Sequence, residues 1–255
     1  MDTEIKMIYT RDDLIQASVD RPFAYVVWCF WYEGRMNENR SRSFELMKSN
    51  LGVPLCLVTK ENINEFLLPE YPLHPAFQFL SDVHKSDYMR IYLLHHYGGG
   101  WHDIKPTQVN FSRVWDEFSD PDVYFVGRPE IKGGPAKVFD EEGKWMPDYW
   151  TDLVGCGWWV GRPNTPLSTG MFYKINELLD ENYEALKRYP AKTPFDKKKK
   201  VHFEWLHFLS IGNKGYPLPW TVFGNIFHPL NFKYREHIKK TLPTDQIYNL
   251  GLHYR

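Results

Sequence analysis

Ser86 to Lys105 reads SDYMRIYLLHHYGGGWHDIK, and this stretch decides the fold. Ile91, Leu93, Leu94 and Tyr97 give it the buried side of a helix, and Asp87 and Arg90, three residues apart, share one face of that helix. Gly98, Gly99 and Gly100 stop it, because a helix C-terminus commonly calls for a residue in the left-handed region. Trp101 opens a new extended run, with Asp103 just inside it. Helix, glycine turn and short strand together bring Asp87, Arg90 and Asp103 within reach of one cleft.

The segments before this stretch supply its setting. Phe23–Phe30 (FAYVVWCF) and Val53–Thr59 (VPLCLVT) are continuous apolar runs of β-favouring residues, the pattern of strands buried on both faces. A helix over 40–50 with Gly52 as its stop, and a short one over 61–68 before Pro69, alternate with them. The rhythm predicts an α/β chain with a Rossmann-like, mostly parallel central sheet flanked by helices. Beyond Lys105, strands are expected over 123–128 and 153–162, a surface loop over 130–146, and helices over 166–189 and 201–211. The tail from Gly215 is aromatic and proline-rich with little periodicity. With no repeat and no low-complexity linker, 1–255 reads as one domain, residues 1–130 forming its first half and 131–255 its second, with a closing C-terminal tail.

Composition narrows the function classes. A formal net charge of −1 argues against a general nucleic-acid binder. Ten Trp and sixteen Tyr exceed what a core requires, and such rings suit stacking on sugars and bases as well as packing. Cys29, Cys56 and Cys156 are odd in number and widely spaced, which fits neither a zinc site nor a disulfide framework and suits a reducing compartment. The N-terminus is charged and lacks an apolar signal core, and no apolar run reaches the ~18 residues of a membrane span. A cytoplasmic location is therefore expected. Lys197–Lys200 reads as a solvated run, with contact to an acceptor phosphate or a membrane surface as the other reading.

The central stretch resembles the glycosyltransferases whose sugar-binding region carries an Asp-x-Asp motif: the Och1-like transferases, the capsular polysaccharide synthesis proteins and the clostridial glucosylating toxins. Their pattern of Ser-Asp-x-x-Arg, apolar helix, Gly-Gly, aromatic pair and Asp is matched by Ser86-Asp87, Arg90, Gly98-Gly99, Trp101 and Asp103. The departure is Lys105, where the second Asp of the motif commonly stands. The resemblance implies a GT-A-like fold, a nucleoside diphosphate sugar donor (a UDP-sugar first), a saccharide acceptor, and retention of configuration without an evident base. It also places an aromatic on the nucleotide base near the end of the first strand. Trp28 is the candidate, with a core tryptophan as the equal alternative.

The site residues have chemistry to match. A transferase must stabilise charge that builds on the leaving diphosphate, commonly with manganese or magnesium held by carboxylate oxygen. Asp103 is the expected metal ligand, and His253 a further one. In the resembling enzymes Asp87 and Arg90 contact the donor sugar. A carboxylate can indeed accept from two hydroxyls, and a guanidinium can fork onto phosphate or hydroxyl. Lys105 stays protonated beside a diphosphate and cannot ligate a metal. Either Asp103 still holds an ion with other ligands, or Lys105 neutralises the phosphates itself, or Lys105 is merely solvated. Asp148, Asp152 and Glu204 are base candidates by position. A nucleotide-sugar binder that has lost catalysis is the nearest alternative. A metal-dependent hydrolase built on His84, His95, His96 and His102 is the more distant one, since adjacent His95 and His96 face different ways on a helix.

Overall fold

A computed structural model describes residues 5–140, 142–198 and 215–243. After the short helix α1 (Arg11–Ala17), three short strands anchor its first half: β1 (Val27–Phe30), β2 (Leu55–Val58) and β3 (Gly99–His102). β1 pairs in parallel with both β2 and β3. Two longer strands, β4 (Phe125–Pro129) and β5 (Val154–Gly161), and the two-residue β6 (Ile238–Lys239), complete a six-stranded sheet in the order β2-β1-β3-β5-β4-β6. β5 runs antiparallel to β3 and β4, and β4 pairs in parallel with β6. The sheet is therefore Rossmann-like and mostly parallel, with one reversed strand inside it. Its strand order turns back between β1 and β3, the kind of place where open α/β sheets leave a crevice outside their carboxyl ends.

Alternating side chains of β1 divide the core. Trp28 and Phe30 face the helices α3 (Asp82–His96), α4 (Pro166–Glu181) and α6 (Val222–Lys233), whereas Val27 and Cys29 face α2 (Glu38–Asn50) and the turn carrying Val114, Trp115 and Phe118. α3 lies at the centre of the first layer, touching β1, β3, α4 and α6. It is buried almost all round, so its polar side chains must find partners inside the protein.

The expected helix over 61–68 is a single 3-10 turn, Ile63–Phe66. The expected helix over 166–189 is two, α4 and α5 (Tyr183–Arg188): the Asn182 side-chain amide donates to the Leu178 carbonyl at 2.8 Å, which ends the first and lets the chain restart. The tail was expected to lack periodicity but contains α6, whose apolar positions Val222, Phe223, Ile226, Phe227 and Leu230 all enter the main core. The expected helix over 201–211 falls outside the described residues, as do Glu204, Lys199, Lys200 and His253.

The glycine turn works as the sequence implies at its first two positions. Gly98 has φ 69° and its N–H reaches the Leu93 and Leu94 carbonyls at 3.1 Å, closing the end of α3. Gly99 has φ 98° and lies so close to Trp28 that a Cβ would fall 3.0 Å from its Nε1. β3 already begins at Gly99, two residues before Trp101, and Asp103 lies just past its end rather than inside it.

Candidate functional site

Arg90 is the hub. From the middle of α3 its Nη2 donates to Asp103 Oδ1 at 3.1 Å and stands 3.7 Å from Asp87 Oδ1. Its Nη1 donates to the Cys156 carbonyl on β5 at 3.1 Å. The guanidinium is held between two rings, 4.7 Å from the centroid of Trp101 and 4.4 Å from that of Phe223. Three elements thus fix one side chain, and the guanidinium Nε is left buried without a hydrogen-bond partner.

Asp103 leaves the carboxyl end of β3, beside the carboxyl end of β1, and its N–H donates to the Gly157 carbonyl at 2.9 Å. Trp101 Nε1 donates to its Oδ1 at 3.0 Å, and Lys105 Nζ meets its Oδ2 at 3.1 Å. Burial works to raise the pKa of this carboxyl. The Lys105 ammonium, the Arg90 guanidinium and the Trp101 N–H outweigh it and hold Asp103 well below the usual carboxylate range. Asp87 has the opposite balance. Burial pushes it up to about 6, resisted by Arg90, reinforced by the charge of Asp103 and opposed again by the Phe223 N–H in the first turn of α6. Two carboxylates on one arginine therefore differ in proton affinity, because one has two cations and the other shares one.

The structure brings together Asp87, Arg90, Asp103 and Lys105. It does not bring Trp28 to them. Trp28 was expected at the end of the first strand, but it is the second residue of β1, 1 % exposed, with Nε1 donating to the Gly98 carbonyl at 2.9 Å and its ring edge-on to Phe66. With its faces covered, it is a core residue. Trp31 and Tyr32, just past β1 at the carboxyl edge, are half-buried instead.

The surroundings of Asp103 do not fit a divalent ion. Both its oxygens are taken by three donors, two of them cationic, so an ion would have to displace Lys105 and then sit against Arg90. Among the described residues no group of three or more His, Cys, Asp or Glu could hold a metal. The four histidines of the motif disperse. His84 accepts at Nδ1 from Ser81 and Tyr216 and donates from Nε2 to the Pro219 carbonyl at 2.8 Å. His95 and His96 pack on Phe172, and His102 stacks on Trp158.

Sequence reading overlooked a buried group next to Arg90. His228 on α6 accepts the Ala136 N–H at Nδ1 (3.0 Å), which puts its proton on Nε2, facing Cys156 Sγ at 3.3 Å and Glu130 Oε2 at 3.6 Å. His228 is thus a donor, not a base, toward the thiol, and burial pushes the Cys156 thiol pKa up. The trio ties α6, β5 and the loop after β4 around the back of Arg90. The available signal was the helical spacing of apolar residues over 222–230, masked by Pro229 and by the abundance of aromatics.

Comparison with curated proteins and with solved structures gave no match. The family model for capsular polysaccharide synthesis proteins matches residues 6–133, half of the chain, and includes Asp87, Arg90, Asp103 and Lys105. No helix of the described residues is long and apolar enough to cross a membrane. With that match and the mostly parallel sheet beneath it, the chain belongs to the capsular polysaccharide synthesis protein family.

Proposed function

We propose that this protein is a glycosyltransferase of GT-A type, moving a sugar from a nucleoside diphosphate donor, a UDP-sugar first, to a saccharide acceptor. One observation carries the reading: Arg90 joins Asp87 and Asp103, with Lys105 on the outer oxygen of Asp103, at the carboxyl end of the strands where the sheet order reverses. The family supplies the setting, polysaccharide synthesis.

The roles follow from the charges. Lys105, with 22 % of its side chain exposed, is the most open of the four, and its ammonium meets the diphosphate. As the sugar departs, charge on the leaving phosphate grows, and a fixed ammonium stabilises it more than it stabilises the ground state. Arg90 is clamped and cannot swing out. It holds the two carboxylates in place and adds its positive charge from behind. Asp87 accepts hydroxyls of the donor sugar, and Asp103, its oxygens already engaged, fixes the position of Lys105. On this reading Lys105 performs the neutralisation that a divalent ion supplies in Asp-x-Asp enzymes.

A thermal-shift panel of nucleotide sugars with and without manganese tests the donor, since a ligand that binds only the folded state raises the melting temperature with concentration. A UDP-sugar should stand out and its hydrolysis should be detectable. No shift with any nucleotide sugar would overturn the reading. Full activity in excess chelator is expected. Complete loss, restored by manganese, would return the ion to the site and displace Lys105 from its role.

A further inference from the structure

We propose that a surface cavity on the loop between β4 and β5 is the subsite for the saccharide acceptor, and that it takes a neutral chain. The proposal rests on the transferase reading, which requires a second sugar-bearing substrate. The loop is a built lobe, not a slack connection. Phe139 and Trp145 form a β-bridge, and Asp140 caps the turn between them by accepting from the Lys144 N–H at 2.8 Å. Val138, Tyr149 and Leu153 form a core of their own, against which Met146 and Phe232 of α6 pack.

This lobe bounds a cavity of about 460 Å³, within the range of small-ligand sites. Trp145, 48 % exposed, lines it, with the Lys137 ammonium 5.2 Å over its ring. A rigid half-exposed indole offers a flat apolar face to the C–H side of a sugar. Asp148 and Asp152 line the same cavity and are exposed, and each carboxylate can accept from two hydroxyls. The lining carries the carboxylates of Asp140, Asp148 and Asp152 against the single ammonium of Lys144, an excess of negative charge that disfavours a uronate or phosphate polymer. The cavity is also joined to the donor side: its Tyr149 donates to the Ala136 carbonyl, the Ala136 N–H donates to His228, and His228 meets Cys156, whose carbonyl holds Arg90.

Isothermal titration of the whole chain with maltotriose, the N-acetylglucosamine trimer and a galacturonate trimer tests this. At least one neutral trimer should bind saturably, at least tenfold tighter than the uronate. Trp145→Ala should weaken it about tenfold, Trp145→Tyr much less, and the Asp148→Asn/Asp152→Asn double variant by a similar factor. Failure of both neutral trimers, equal or tighter uronate binding, or unchanged affinity in Trp145→Ala would each overturn the proposal. UDP is titrated separately. Binding of UDP without any trimer would remove the cavity and leave the donor site; trimers binding through Trp145 without UDP would do the reverse.

Discussion

The middle and the ends of α3 bury polar side chains in opposite ways. In its middle, Asp87 and Arg90 lie under 10 % exposed and form one ion-paired group with Asp103 and Lys105. In its last turn, His95 and His96 are packed among Phe172, Tyr71 and Tyr92 with no counter-charge, and burial lowers the pKa of both, that of His96 to about 4. His84 in the first turn follows the same course, its pKa lowered to about 4 by burial despite the Pro219 carbonyl. The helix teaches that burial alone neutralises, whereas burial beside an opposite charge preserves ionisation. Preserved buried charge has a desolvation cost, and here it falls within the stretch that the family model matches.

Removing the hub should break the contrast most severely. Arg90→Met leaves Asp87 buried without a cationic partner and Asp103 with Lys105 as its one remaining cation, and is expected to cost about 3–5 kcal/mol of stability, read by urea unfolding, and to abolish transfer. Arg90→Lys should recover part of the stability and little activity. Next in size, Asp103→Asn should lower kcat about 10²–10³-fold while perturbing stability less than Arg90→Met; a near wild-type rate would detach Asp103 from the chemistry. Lys105→Asp recreates an acid pair, and whatever activity survives should become dependent on manganese, measurable as restoration after chelation.

The pH dependence sharpens the same comparison. His84 and His96 have folded values near 4, below the ordinary histidine value, so the unfolded chain takes up protons first as pH falls. Their contribution to stability is complete above about pH 6.5 and is lost as pH drops from there toward 4. Asp87 acts in the other direction: its raised pKa makes its ionisation unfavourable in the fold, so between about pH 6 and the ordinary carboxylate range its protonation restores stability while, on the proposed transferase reading, removing an acceptor for the donor sugar. Transfer should therefore decline as pH falls through about 6, and unfolding curves at several pH values separate the two effects. The smallest effect is expected at Trp28. Trp28→Phe loses the bond to Gly98 and some core volume, about 1–3 kcal/mol, with UDP binding unchanged.

Much of this was legible in the sequence because it depended on short-range pattern. Two apolar runs became β1 and β2, the glycine turn ended α3, and the spacing of Asp87, Arg90 and Asp103 put them together. What the sequence hid depended on long-range packing. Nothing local says that Trp28 turns inward onto Phe66 while Trp31 stays half-buried, since both rings are equally apolar. Phe223 and Cys156 reach Arg90, and His228 backs Cys156, from elements more than sixty residues away, and the helix that carries two of them runs through a proline. The ion pair of Lys105 with Asp103 needed coordinates to distinguish it from a solvated lysine.

The order of the strands has a consequence for how the molecule comes into being. β5 lies between β3 and β4, although it is made after both. A chain emerging from the ribosome can close β1 on β2 and β3, but β4 has nowhere to dock until Gly161 has appeared. The Asp87–Arg90–Asp103–Lys105 cluster is thus written early and becomes a finished site only late, so a piece cut at the end of the family match would retain these residues without the strand that joins them to the rest.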